Sequence, residues 1–103
     1  MRRGEVWWAD LPPPVGRRPV VLVSRDRAIQ VREAITVALV TAVARNIPSE
    51  VPLSRRDGLP KNCVINCDVL ETIPKLLMRE RIAILSGPKQ ERLDEALRFS
   101  LGL

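Results

Sequence analysis

The stretch GRRPVVLVSRDR, residues 16–27, sets a short apolar run, Val20–Val23, between two pairs of arginines. An apolar run of this length that is rich in valine predicts a buried β-strand, which we place at Pro19–Ser24. The proline stands at the start of the strand, where a missing backbone N–H is tolerated. The strand is bounded by arginines at both ends, namely Arg17 and Arg18 before it and Arg25 and Arg27 after it.

Short strands are predicted on both sides of this stretch. They cover Gly4–Leu11, Ile35–Val43, Glu50–Leu53, Cys63–Asp68 and Arg81–Leu85. Residues 25–34 predict a loop or a short irregular turn of helix, and Pro74 is expected to break the segment between the last two strands. Trp7 and Trp8 alternate on the first strand, so one is expected in the core and the other near the surface.

The hydrophobic period changes near the end of the chain. One apolar stripe with helical spacing predicts a helix that starts near residue 88, and it contains Leu93, Ala96, Leu97 and Leu101. Ser86 or Gly87 caps its start, and Gly102 follows its last periodic residue. Closely spaced short strands and one amphipathic helix predict a mainly β fold with a C-terminal helix, which is a small, strongly curved antiparallel barrel.

The composition fits one globular domain over residues 1–103, because 46% of the chain is hydrophobic and the length suits a single small core. No apolar run is long enough to span a bilayer. Acids and prolines stand where a signal peptide needs an uninterrupted apolar segment. We therefore expect a cytoplasmic protein that has no membrane association.

The net charge is +5, and 14 of the 17 basic residues are arginines. Arginine forms forked bonds with phosphate and stacks on bases, so this excess favours a nucleic acid or an acidic protein as partner. An arginine-rich composition also follows from a GC-rich genome. Cys63 and Cys67 would lie about 13 Å apart on one strand, too far for a disulfide, and are interpreted as small buried hydrophobes.

The residue types present restrict the catalytic chemistry that the chain could perform on a nucleic acid. The chain has no histidine, which excludes the histidine pair that many ribonucleases use. Four acids stand singly along the chain without the spacing of a two-metal site, which disfavours metal chemistry; they are Asp10, Asp26, Glu50 and Asp68. We predict no metal and no cofactor.

The order of several segments resembles the MazF/PemK family of toxins. The segments are RRGEVWWADL, GRRPVVLVSRD, a β-branched strand ending in VT, SEVPL, GLPKNCVINCDVLETI, and a final LDEAL followed by LGL. The resemblance implies an SH3-like barrel of the CcdB and MazF type that forms a homodimer. It also implies a metal-independent, sequence-specific endoribonuclease that a cognate antitoxin with an acidic tail neutralises.

The resemblance carries two catalytic positions onto this chain. The arginine before the proline of the second strand is Arg18, and the threonine that ends the third strand is Thr41. Arg18 can donate two N–H groups to a charge-building phosphate, and Thr41 can donate a hydrogen bond to the same group. Glu50 is the first candidate for proton transfer and Asp26 the second. The expected phosphate contacts are Arg17, Arg25 and Arg45.

Three departures from the family pattern leave alternatives open. The first loop, PPPVGRRP, is short and carries no acid, Arg25 replaces the usual asparagine, and Val69 stands where glutamine is common. Two other functions therefore stay possible. One is a non-enzymatic toxin of the same fold that binds DNA gyrase, and the other is a plain barrel that binds nucleic acid.

Overall fold

The computed structural model describes residues 1–103 and contains six strands and two helices. The strands are β1 (Glu5–Asp10), β2 (Arg17–Leu22), β3 (Ala34–Thr41), β4 (Glu50–Leu53), β5 (Cys63–Pro74) and β6 (Met78–Ile84). The helices are α1 (Asp26–Val31) and α2 (Gly87–Leu101), and two 3₁₀ turns cover Arg55–Asp57 and Lys75–Leu77. The predicted mainly β fold with a C-terminal helix is confirmed.

All six strands form one antiparallel sheet in the order β4-β5-β3-β2-β1-β6. The strand β5 is the longest, and it pairs with β3 along most of its length and with β4 at its beginning. The strand that the arginine-flanked stretch forms, β2, lies between β1 and β3 at the middle of the sheet. Its two ends therefore open onto opposite rims of the sheet.

The two edges of the sheet approach each other through side-chain packing. Gly58, after β4, has a φ of +94°, and a Cβ at this position would lie 2.9 Å from the Cβ of Ala83 on β6. Glycine is required here because it adopts positive φ readily and lets the turn after β4 reach the far edge of the sheet. The sheet is thus a half-barrel, closed by packing rather than by backbone hydrogen bonds.

The core has two parts, one on each face of the curved sheet. The first part lies under α2, where Leu93 and Ala96 pack with Val21 and Ile65 of the sheet. The second part lies under α1 and contains Ile29 together with residues of the central strands. Neither helix is both long and apolar enough to cross a membrane.

Several predicted boundaries hold. The strand β4 covers the predicted residues, and α2 begins at Gly87 with the Ser86 hydroxyl accepting the Lys89 backbone N–H at 3.4 Å. Gly102 ends α2 in the left-handed conformation. Residues 26–31 lie in the segment predicted as a loop or a short irregular turn of helix, and they form the short regular helix α1, whose buried Ile29 anchors it on the sheet.

The strand predicted at Cys63–Asp68 is too short. The strand β5 continues to Pro74, because its pairing with β3 extends as far as Ala34 and Pro74. The proline stands at the end of the strand, where a missing backbone N–H is tolerated. The last strand likewise begins at Met78 and not at Arg81.

A bulge interrupts β5 near its middle. Leu39 faces Asn66 and Ala38 faces Leu70, so three residues of β5, 67–69, have no partner on β3. Two serines hold this bulge. The Ser49 carbonyl accepts the Cys67 N–H at 2.9 Å, and the Ser100 hydroxyl of α2 lies 2.8 Å from the Cys67 carbonyl. The bulge is therefore bound to the end of α2.

Candidate active site

The register of β2 and β3 brings Arg18 and Thr41 together. Val20 lies opposite Leu39 and Val21 opposite Ala38. When this antiparallel register is continued to the rim of the sheet, Arg18 stands opposite Thr41. Both side chains line the same two neighbouring cavities, so the two predicted catalytic positions share one cleft.

The two cavities have different walls. The first, of about 430 Å³, is lined on one side by Trp8 and on the other by the loop before β5, including Lys61. The second, of about 220 Å³, extends past Arg18 and Thr41 toward Arg45, Asn66 and Val69. An extended ligand that crosses the cleft would contact Arg18 and Thr41 near its middle.

Arg18 is half-buried, and its guanidinium forms no ion pair with any carboxylate of the chain. Its donors are therefore available to an external anion, and partial burial strengthens such a contact because fewer water molecules screen it. Thr41 is also half-buried, and its Oγ1 accepts the Val43 backbone N–H at 3.4 Å. That contact uses an acceptor site of the hydroxyl and leaves its proton free to be donated.

Arg17 is oriented by two neighbours on the wall of the first cavity. Its guanidinium lies 5.0 Å from the centroid of the Trp8 ring and 3.8 Å from a carboxylate oxygen of Asp10. The other Asp10 oxygen accepts a hydrogen bond of 2.6 Å from Nε of Arg79. Trp7 points the other way and packs against the second part of the core. As expected from their alternation, Trp7 packs against the core and Trp8 lines the surface cleft.

Arg45 and Glu50 are five residues apart in the sequence, but only Arg45 lines the cleft. Arg45 lines the second cavity. The Glu50 residue is only 4% exposed and lines neither cavity with Arg18. Its Oε1 accepts the backbone N–H groups of Arg45 at 2.8 Å and Asn46 at 3.0 Å. The carboxylate is thus directed at the loop between β3 and β4.

Arg25 and Asp26 lie at the other end of β2, beyond the rim opposite Arg18. The Asp26 carboxylate accepts the Arg3 backbone N–H at 2.7 Å. The structure therefore brings Arg17, Arg18, Thr41 and Arg45 together and places the other predicted site residues elsewhere. Lys61 and Asn66 were missed, because a single lysine in a polar loop and a single amide in a strand give no local signal.

The ionisable groups near the bulge have perturbed pKa values. Hydrogen bonds from the Ser49 and Ser100 hydroxyls, at 2.5 Å and 2.8 Å, lower the pKa of Asp68. Burial raises the pKa of the Cys67 thiol to about 11. Burial also raises the pKa of Cys63, and the two cysteines are not bonded to each other. No three Cys, Asp or Glu side chains converge as a group that could hold a metal ion.

The fold and the cleft define a small antiparallel half-barrel with a C-terminal helix, whose cleft is built from arginines and a hydroxyl. Residues 2–101 match the family model of the PemK-like, MazF-like toxin of type II toxin-antitoxin system. The chain belongs to this family, which confirms the resemblance seen in the sequence.

Relatives of known name cover almost the whole chain. "Probable endoribonuclease MazF2" of Mycobacterium tuberculosis is 36% identical over 103 residues, and the match covers 99% of each chain. "Probable endoribonuclease MazF5" of the same species is 34% identical over 100 residues, covering 96% of this chain and 91% of the relative.

Solved structures share the fold closely. The Mycobacterium tuberculosis toxin MazF-mt6 superposes with a TM-score of 0.88 at 28% identity, covering 96% of this chain and 97% of that chain. An endoribonuclease in complex with its cognate antitoxin, from a mycobacterial species, has a TM-score of 0.89 at 25% identity, covering 100% of this chain and 96% of that chain.

Proposed function

We propose that this chain is the endoribonuclease toxin of a type II toxin-antitoxin module, and that it cleaves RNA at specific sequences without a metal ion and so inhibits translation and growth. Family membership and the names of the relatives support the activity. The observation that carries the mechanism is that Arg18, which has no ion-pair partner, and Thr41 line the same cleft. The unit of function is the single domain over residues 1–103.

The proposed reaction is an internal attack by the ribose 2′-OH on the adjacent phosphorus. The bond between the 2′-oxygen and phosphorus forms, the bond from phosphorus to the 5′-oxygen breaks, and the 2′-proton leaves as the 5′-oxygen gains one. Arg18 donates two N–H groups to the non-bridging oxygens, whose charge increases in the transition state. Thr41 donates its hydroxyl proton to the same phosphate.

Proton removal from the 2′-OH is not assigned to Glu50 or Asp26. The Glu50 carboxylate accepts loop N–H groups away from Arg18, and Asp26 lies at the other end of β2. Arg17 and Arg45 flank Arg18 in the cleft and would bind the neighbouring phosphates. Arg25 would contact RNA only if the bound RNA extended around the half-barrel to the other end of β2.

The proposed partners are RNA, a cognate antitoxin and a second copy of the chain. An acidic segment of the antitoxin would occupy the anion sites around Arg18 and exclude RNA. A second copy would cover exposed apolar side chains of α2, among them Phe99 and Leu101. We place the protein in the cytoplasm, where RNA is present and where its two free thiols stay reduced.

The test is cleavage of a long RNA in the presence of EDTA, with the new 5′ ends mapped. The wild type should cut at discrete sites. Arg18→Ala should lose at least about a hundredfold in rate, because one preorganised donor to a developing charge contributes roughly 3–4 kcal/mol. Thr41→Ala should lose activity at the same sites.

Arg25→Ala is the matched control, since it removes the same side chain from the other end of β2 and should keep most of the activity. Cleavage that requires Mg²⁺, or that Arg18→Ala leaves unchanged, would contradict the mechanism. Absence of cutting together with tight binding to DNA gyrase would favour the non-enzymatic toxin, and sequence-independent RNA binding without cutting would favour the plain barrel.

A further inference from the structure

The loop between β3 and β4 is organised around one buried carboxylate. Residues 42–48 are exposed, whereas Glu50 behind them is 4% exposed. Glu50 Oε1 accepts two successive backbone N–H groups, those of Arg45 and Asn46. Two successive N–H groups that converge on one oxygen form an anion-binding concavity, and here the anion is supplied by the chain itself.

The backbone at this point turns sharply. Asn46 has a φ of +57°, in the left-handed region, which asparagine adopts more readily than other residues with a side chain. The two N–H groups that this conformation turns toward Glu50 are satisfied only by its carboxylate. The backbone of Glu50 is fixed in turn, because its N–H donates to the Ile47 carbonyl at 3.0 Å and its carbonyl accepts NH2 of Arg92 at 3.1 Å.

Arg45 connects this arrangement to the cleft. Its backbone N–H is bound by Glu50, and its side chain lines the second cavity together with Arg18 and Thr41. The Arg45 guanidinium lies beyond ion-pair distance of every carboxylate, and only the longer-range attraction of Asp68 acts on it besides the loop backbone. A change in the loop at residues 45–46 would therefore move a cation of the cleft.

We propose that Glu50 is a positioning residue for RNA binding, which acts by fixing the loop backbone so that Arg45 is held in the cleft beside Arg18 and Thr41. This inference depends on the proposed function for its substrate. It assigns Glu50 a role that is distinct from proton transfer, since its carboxylate lines neither cavity around Arg18.

The proposal predicts that removal of this acidic residue weakens RNA binding, which is the opposite of the effect expected from net charge. Removal of an acid raises the net charge from +5 to +6, and net charge alone would then strengthen the binding of a polyanion. If Glu50 positions Arg45, Glu50→Ala should instead weaken RNA binding by about tenfold, as Arg45→Ala does, because each variant removes one charged contact with phosphate.

The experiment measures binding of a fluorescein-labelled, single-stranded RNA of mixed sequence that is 2′-O-methylated and so resists cleavage. Affinity is measured over a range of salt concentrations for the wild type, Glu50→Ala, Arg45→Ala and the double variant. Both single variants should reduce the salt dependence by about one phosphate contact, a change of roughly 0.7 in the slope of log K against log salt. In the Arg45→Ala background, Glu50→Ala should have little further effect.

Glu33→Ala is the matched control for charge. Glu33 is exposed and directly precedes the first residue of β3, whereas Thr41 is the last residue of that strand. This variant should leave affinity unchanged or slightly higher. Glu50→Gln keeps an oxygen that can accept both N–H groups and should therefore restore about half or more of the lost affinity on a logarithmic scale. If Glu50→Ala does not fold, Glu50→Gln replaces it in the same double-variant cycle, with a smaller loss that must also vanish in the Arg45→Ala background.

A kinetic measurement separates this role from catalysis. On a cleavable RNA, Glu50→Gln should change KM more than kcat and leave the pH profile of kcat/KM as in the wild type. The proposal is overturned if Glu50→Ala binds RNA as tightly as the wild type, if the losses from the two single variants simply add, or if Glu50→Gln removes the acidic limb of the pH profile. Absence of cleavage by the wild type would instead refute the proposed function, while the binding assay would still test the positioning role.

Discussion

Replacement of Leu93 by alanine tests how much the helix α2 contributes to the folded state. Leu93 is 0% exposed and belongs to the core under α2, together with Val21 and Ile65 of the sheet. The substitution removes the equivalent of three buried carbon groups, about 2.4 kcal/mol at roughly 0.8 kcal/mol each. A cavity that the surrounding strands cannot fill adds to this, so we expect a loss of about 3–4 kcal/mol in the free energy of unfolding.

The assay is urea unfolding monitored by circular dichroism. The dependence of the free energy of unfolding on urea concentration is compared between variants. The loss corresponds to a fall in Tm of roughly 12–25 °C for a domain of this size. Leu76→Ala is the matched control, because it makes the same change at a side chain that is 73% exposed and lies in the 3₁₀ turn before β6, away from α2. Its effect should stay within about 0.5 kcal/mol.

A loss below about 1 kcal/mol for Leu93→Ala, or equal losses for both variants, would show that α2 does not close the core in the way described. The result also bears on the cleft. The same helix supplies Arg92, which binds the Glu50 carbonyl, and Ser100, which binds the bulge of β5.

Two further predictions concern titratable groups. The pKa of Asp68 is lowered in the folded protein, so its carboxylate stabilises the fold above its unfolded pKa, and this contribution is lost as the pH falls below about 4. The difference in stability between the wild type and Asp68→Asn should thus be present at pH 7 and shrink below pH 4, and a constant difference from pH 2 to 7 in thermal unfolding would contradict this assignment. Titration with a thiol reagent near neutral pH should modify the half-exposed Cys63 slowly and Cys67, whose pKa is about 11, only on unfolding; fast reaction of both thiols would contradict the burial of Cys67.

Local sequence signals were sufficient for the elements that depend on local interactions. The helix α2 has a serine cap, a regular apolar stripe and a terminal glycine, and each of these acts within one or two turns. The strand β4 is bounded by polar loops on both sides. The bulge and the full length of β5 could not be predicted, because they depend on the pairing with β3 and on Ser49 and Ser100, which are distant in sequence.

The candidate site also contains residues that could be predicted from the sequence and residues that could not. Arg18 and Thr41 were predicted from the family resemblance and from their positions at strand ends, and the register of β2 and β3 explains why these two ends meet. Their catalytic roles stay predictions. Arg25 and Asp26 belong to the same short stretch of sequence as Arg18. The extended strand β2 lies between them, so they stand at the opposite rim of the sheet from Arg18. The surroundings of Glu50 were not predictable, because its partners are backbone groups of a loop whose conformation only the folded structure fixes.

Arg17 and Arg18 line the first cavity of the cleft, Arg18 and Arg45 line the second, and of the three only Arg17 has a carboxylate within ion-pair distance. By mass action, any polyanion that binds there stabilises the folded state, whether it is the substrate or an acidic inhibitor. A bound polyanion would therefore raise the free energy of unfolding above that of the protein alone, so that an occupant of the cleft would also act as a stabiliser of the fold.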